Sequence, residues 1–164
     1  MPSDLDLFFR NFSTNQVGNR PIFDSIDGGV NQQTNMSFGL NGESDLDLEY
    51  AMALVYPQQV TLYQVGDLVQ GASFNNFLDA IDGSYCTYEG GDDPTQDGIY
   101  PDPYGGYQGP ENCGGYTATK VSSSILIYLT YAFCLIVNVQ VISTSYGYNE
   151  HDLTPFYEQR QCNE

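Results

Sequence analysis

Short β-branched apolar runs alternate with helically spaced ones in this chain, and that alternation restricts the fold more than any other feature. Residues 20–26 (Arg-Pro-Ile-Phe-Asp-Ser-Ile) read as a strand closed by Asp27-Gly28-Gly29. Residues 60–65 (Val-Thr-Leu-Tyr-Gln-Val) and 141–147 (Val-Ile-Ser-Thr-Ser-Tyr-Gly) read as two more. Between the first two, Glu43 to Val55 keeps Leu46, Tyr50, Ala53 and Leu54 on one helical stripe, and Pro57 stops it. Phe74 to Ile81 gives a second helix, residues 4–12 a short amphipathic one, and Leu153 to Cys162 a last one, while a polar loop runs to Asn41. Strands separated by helices are βαβ units, which put their strands side by side in parallel. The expected class is therefore α/β with a parallel sheet.

Residues 82–119 interrupt this rhythm. They are rich in Gly, Pro, Asp and Tyr and predict a long ordered surface loop. The four cysteines, Cys86, Cys113, Cys134 and Cys162, form no Cys-x-x-Cys pair, and there is one histidine, His151. Zinc ligation is disfavoured on that count and disulfide bonding favoured. A Cys86–Cys113 bridge would close the loop, stabilising by roughly 3–4 kcal/mol through the unfolded state.

Twenty-one acidic against four basic residues give a net charge of −17. Such a surface repels nucleic acid and anionic membranes, so neither is an expected partner. It suits work in acid, where protonation of carboxylates relieves self-repulsion. Sequons at Asn11-Phe12-Ser13 and Asn35-Met36-Ser37 point to glycosylation of a secreted protein. Met1-Pro2-Ser3-Asp4 opens no signal peptide, so the expectation is that the true N-terminus of the secreted form lies further upstream.

Residues 42–50 (Gly-Glu-Ser-Asp-Leu-Asp-Leu-Glu-Tyr) carry the chemistry. Glu43 and Asp47 are spaced i, i+4, which on a helix places both carboxylates on one face within reach of each other. Two neighbouring carboxylates do not both ionise cheaply, so such a pair can hold and pass a proton at low pH. The plainer alternative is an acid-decorated helix N-terminus, favoured by the helix dipole. Asp45 and Glu49 are expected to be solvated. Asp92, Asp93 and Asp97 lack the glycine and terminal glutamate of a calcium loop and read as an acidic turn.

Taken together, Ser25-Ile26-Asp27-Gly28-Gly29, the Glu43-x-x-Leu46-Asp47-x-x-Tyr50 pattern and the run Val141–Gly147 resemble the sedolisins, or serine-carboxyl peptidases, in particular fungal tripeptidyl-peptidase-like members. The resemblance covers nearly the whole chain except residues 121–140. It implies a subtilisin-like parallel sheet flanked by helices, present only as its N-terminal part. It implies Glu43 as the general base toward a serine nucleophile and Asp47 as the residue that orients Glu43 and shares its proton. Ser145, Tyr146 and Gly147 resemble the strand that pairs with the substrate backbone. The family's Ser-Gly-Thr-Ser nucleophile segment, its Ser-Gly-Asp oxyanion turn and its C-terminal calcium site are not among these residues. The expectation is an acid peptidase fragment, inactive alone, extracellular and monomeric in its full form, with peptides or proteins as substrates and calcium in the full-length protein. The competing reading is a non-catalytic secreted binding domain, for example for carbohydrate.

Residues 121–140 fit nothing around them. Their apolar core, Ile125–Val137, is short of the ~20 residues of a membrane helix and too long for a buried strand. The resemblance runs from Thr119-Lys120 directly into Val141. The hypothesis is a translated intron: Val121-Ser122 permits a GTAAGT splice site, Leu129-Thr130 a CTAAC branch point, and Gln140 a CAG acceptor.

Overall fold

The computed structural model describes residues 2–31, 38–86, 95–115, 142–145 and 149–163. In chain order these form α1 (Pro2–Phe12), β1 (Ile22–Ile26), α2 (Phe38–Val55), β2 (Thr61–Val65), α3 (Phe74–Ile81), α4 (Gly83–Cys86) and α5 (Pro155–Asn163), with 3₁₀ turns at Thr14–Gln16 and Glu150–Asp152. The class is mixed helix and strand, with β1 and β2 paired in parallel as a two-stranded sheet. The Ile22 amide donates to Val60 O at 2.9 Å, and the Gly66 amide to Ile26 O at 2.9 Å. The chain divides into two units, Met1–Ser25 with Gly29–Gln64, and Ile26–Gly28 with Val65–Glu164.

In the first unit, α1 and α2 pack through Leu5, Phe9 and Met52, with Phe8, Leu48 and Val60 against them. Leu5 and Phe9 lie four apart, so one α1 face carries both. Burial of each such side chain contributes about 1.5–3 kcal/mol. Gln16, itself buried, donates through Nε2 to Met52 O at 3.0 Å and so ties the turn after α1 to α2. Arg20 grips Asp6 with both guanidinium nitrogens, at 2.9 and 2.8 Å. That hydrogen bond, followed by one from the Gly18 amide, holds the Asp6 carboxyl down at about 2. Its folded value is depressed, so its contribution is present above about 3.8 and is lost as pH falls toward 2. At Gly29 a Cβ would stand 1.8 Å from Gln64 O, which accounts for a glycine where the chain leaves β1.

The second unit is organised around α3. Ser73 caps it: Oγ accepts from the Asn75 amide, and Asn76 Oδ1 accepts from the Ser73 amide, both at 3.0 Å. Phe77, Leu78, Ala80 and Ile81 are buried, but so are Asn75, Asn76 and Asp79. Asn76 reaches the loop beyond: Nδ2 donates to Gly98 O at 3.1 Å and to Glu111 at 3.3 Å, and Oδ1 accepts from the Gly98 amide at 3.1 Å. From α5, the Tyr157 hydroxyl donates to Asp97 at 2.6 Å. Arg160 lies 3.9 Å over the Tyr85 ring, 3.7 Å from Asp79, and donates to Tyr85 O. The Cys86–Cys113 disulfide closes the loop as the sequence suggests, with Cα atoms 5.6 Å apart.

Four expectations need correction. Helix α2 begins at Phe38 rather than Glu43, so the polar loop is shorter than residues 30–41 suggest. Gly39 and Gly42 each cost about 1 kcal/mol against alanine, which a helix of 18 residues carries. The first turn of the 82–119 segment is helical, because Asp82 Oδ1 accepts from the Ser84 amide at 2.7 Å and starts α4. Residues 142–145 of the expected third strand are exposed and not in a strand, and the rest of that run, Val141, Tyr146 and Gly147, lies outside the described residues. β-branched composition favours a strand only where a neighbouring ladder and a buried face receive it. Asp45 and Glu49 are half-buried rather than solvated.

Phe9→Ala is expected to cost about 3–5 kcal/mol, measured by denaturant unfolding, since it empties the centre of the α1–α2 contact. Replacing Cys86 and Cys113 together by alanine is expected to cost roughly 3–4 kcal/mol in the same measurement, as befits a closed loop of 27 residues.

Candidate active site

The exposed face of α2 carries Glu43 and Asp47. One helical turn separates them, so they lie above one another with Cβ atoms about 6 Å apart. Leu46, Tyr50 and Leu54 continue along the exposed side of α2, at 55 %, 53 % and 80 % exposure. The Phe8 ring of α1 packs against Tyr50, with ring centres 5.6 Å apart, fixing the aromatic end of the pattern to the first unit's core.

The early start of α2 bears on how these acids are read. A helix dipole favours carboxylates only in the first turn, and the first turn of α2 contains no acid. Glu43 and Asp47 stand in its second and third turns. The capping explanation for their presence therefore fails.

A second i, i+4 pair, Asp45 and Glu49, occupies a different side of the helix. Burial first, then Asp45 and Asp4, push the Glu49 carboxyl up. Sequence reasoning treated these as surface acids. The signal that could have placed them is their spacing from Leu48 and Met52, which lie on the α1 side.

The remaining predicted residues are scattered. Ser145 is exposed, and Tyr146 and Gly147 lie outside the described residues. Asn11 is exposed at the end of α1, where its Nδ2 donates to Leu7 O at 2.8 Å, and Asn35 lies outside the described residues. Asp97 accepts from Ser73, Tyr157 and Asn75, a structural role inside the second unit. His151 is exposed and pairs with Asp152 at 2.8 Å. Among the described residues no group of three or more His, Cys, Asp or Glu side chains is placed to hold a metal ion. Cys162 is exposed and in no disulfide among the described residues, and Cys134 falls in the undescribed 121–140 segment. Among the described residues no helix is long and apolar enough to cross a membrane.

A buried carboxyl that sequence reasoning passed over is Asp27, in the turn after β1. The Asp-Gly-Gly triplet signals the turn, since Asp and Gly accept left-handed backbone, but not the burial of the carboxyl.

The chain is 44 % identical, over 99 % of its length, to the tripeptidyl-peptidase SED1 of Arthroderma otae. It is 42 % identical over 98 % of its length to aorsin of Aspergillus oryzae, and 36 % identical over 98 % to the tripeptidyl-peptidase sed1 of Aspergillus fumigatus. It spans 22 % of the length of each of these relatives. No family model and no solved structure matches it.

Because Glu43 is exposed, Glu43→Gln is expected to change unfolding free energy by less than about 0.5 kcal/mol. A thermal or denaturant melt of the variant checks this, and separates loss of chemistry from loss of fold.

Proposed function

Since the chain belongs to the sedolisin family of peptidases, we propose that it supplies the carboxylate base system of a serine-carboxyl acid peptidase. The observation that carries this reading is the pair Glu43 and Asp47, one turn apart on the exposed face of α2 and away from its capping turn. In this reading Glu43 takes the hydroxyl proton as the serine oxygen attacks the peptide carbonyl carbon. The tetrahedral intermediate collapses with that proton passing from Glu43 to the departing amine, leaving an acyl-serine that water hydrolyses by the same route. Asp47 orients Glu43 and shares the proton. Replacing His–Asp by Glu–Asp moves the working range down, because carboxylates titrate near 4.

The serine nucleophile and the oxyanion-hole Asp belong to segments outside these 164 residues, so the stretch alone is read as inactive. The whole protein is read as a secreted, subtilisin-like, monomeric enzyme that cleaves peptides or proteins and holds calcium elsewhere in its chain. Ser145, Tyr146 and Gly147 are assigned to the edge that pairs with substrate backbone, where main-chain hydrogen bonds supply affinity. Residues 121–140 are assigned to an unspliced intron.

The test is peptidase activity of the complete gene product near pH 4. Glu43→Gln is expected to lower kcat by roughly 10³–10⁴-fold, as loss of a triad member does, and Asp47→Asn by less. Retained activity in the folded Glu43→Gln protein would refute the role of Glu43. Sequencing the transcript is expected to show Lys120 joined directly to Val141, and a transcript that keeps the intervening codons would refute the intron.

A further inference from the structure

The turn that closes β1 holds a carboxyl that the proposed chemistry does not use. Asp27 is fully buried, at 0 % exposure, and its φ of +49° lies in the left-handed region. Its amide donates to Asn112 Oδ1 at 2.7 Å, and the Asn112 amide donates to Asp27 Oδ1 at 2.7 Å. These reciprocal bonds join residues 85 positions apart. Asn112 precedes Cys113, so the same short segment is held by the disulfide on one side and by Asp27 on the other. Next to Asp27, Gly28 leaves room for the Tyr107 ring: a Cβ there would stand 2.5 Å from Tyr107 Cβ. The loop is thus fastened to the end of β1 by one carboxyl and one close approach.

The other oxygen, Oδ2 of Asp27, is buried and has no hydrogen-bond partner among the described residues. As half of a neutral carboxyl it is tolerable; as half of an anion out of water it is not. The titratable groups that act across this turn are acidic as well. Glu111, from the loop, opposes ionisation of Asp27. The Tyr100 hydroxyl is pushed up to about 12, by burial first and then by Asp67, Asp27 and Asp102. Asp67 is engaged elsewhere, accepting from the amides of Val69, Gln70 and Tyr107.

We propose that Asp27 is a proton-operated latch: neutral, it pins the 110–113 segment to the end of β1, and ionised, it lets that segment go. Burial raises its carboxyl to about 7, against the pull of the Asn112 amide and with the help of Glu111. The folded state therefore binds this proton more tightly than the unfolded chain. The stability this proton contributes is fully present below the ordinary carboxyl value of about 3.8 and is lost as pH rises to about 7. This stands whether or not Glu43 and Asp47 serve a peptidase.

The experiment follows unfolding of the chain from about pH 4 to about pH 8, a range that brackets the two values. One proton lost on unfolding predicts a folding constant that drops about tenfold per pH unit up to about 7. Asp27→Asn keeps the shape and the Asn112 bonds without a titrating group, and is expected to remove that slope. Glu111→Gln is expected to complete the loss at lower pH. A slope unchanged in Asp27→Asn would overturn the latch. Should that variant fail to fold, hydrogen exchange at the Asn112 amide of the unaltered chain decides. Protection, corrected for intrinsic base catalysis, is expected to vanish through about pH 7, and protection kept to about pH 8 would overturn the proposal as well.

Discussion

The carboxamide of Asn76, fully buried at the start of α3, spends both its polar atoms on two partners each: Oδ1 on the amides of Ser73 and Gly98, Nδ2 on Gly98 O and Glu111. Much of the second unit follows from that one side chain. It caps α3, fixes the chain at Gly98, and brings Glu111 in beside it. A loop of Gly, Pro, Asp and Tyr has few apolar side chains to bury, so its order has to come from hydrogen bonds closed among themselves. Such networks hold well when complete and fail steeply when one member is removed, because each stranded partner keeps its full desolvation cost. Asn75, Ser73, Asp97, Tyr157 and Arg160 extend the same arrangement toward α5.

The first unit rests on the opposite principle. Leu5, Phe9 and Met52 bury apolar surface between two helices, and Arg20 and Asp6 pin the turn beside them. Carboxyls held by hydrogen bonds and a carboxyl held in burial respond to acid with opposite sign. Asp6 is a carboxylate stabilised as an anion, by a cation and an amide. Asp67, pulled up by burial but down further by the Tyr107, Gln70 and Val69 amides and by Asp102, also ends near 2. Asp27 is stabilised as an acid. The first two lose their effect below the ordinary carboxyl value and the third above it, so the chain is squeezed toward a mildly acidic optimum from both sides.

Much of the element order was legible in the sequence, because it depends on local period. The stripe Leu46–Tyr50–Leu54, the run Thr61–Val65 and the segment Phe74–Ile81 all fall where their spacing put them. The start of α2 was not, since the polar residues up to Asn41 suggested a loop, whereas the helix begins at Phe38 and contains Gly39 and Gly42 despite their low propensity. The run at 142–145 shows the converse: its residues favour a strand, but a strand exists only when another accepts it. Glu43 and Asp47 were legible as a pair from spacing, and the base role proposed for them rests on the resemblance carried by their neighbours Leu46 and Tyr50. Asp27 was invisible as a buried acid, because its partner Asn112 is 85 residues away and no local rule joins them.

The two-stranded sheet has a consequence of its own. Among the described residues β1 and β2 pair only with each other, so each also presents an outer row of peptide groups. Parallel strands ordinarily sit deep in wider sheets, covered on both faces, whereas Ile22 of β1 is 49 % exposed. Neither strand carries a lysine, the one charge is the half-buried Asp24 of β1, and the proline beside β1 sits before its first residue. Such edges are adhesive in both senses: they are the place where additional strands of a larger sheet would dock, and the place where two copies of this stretch would stick together.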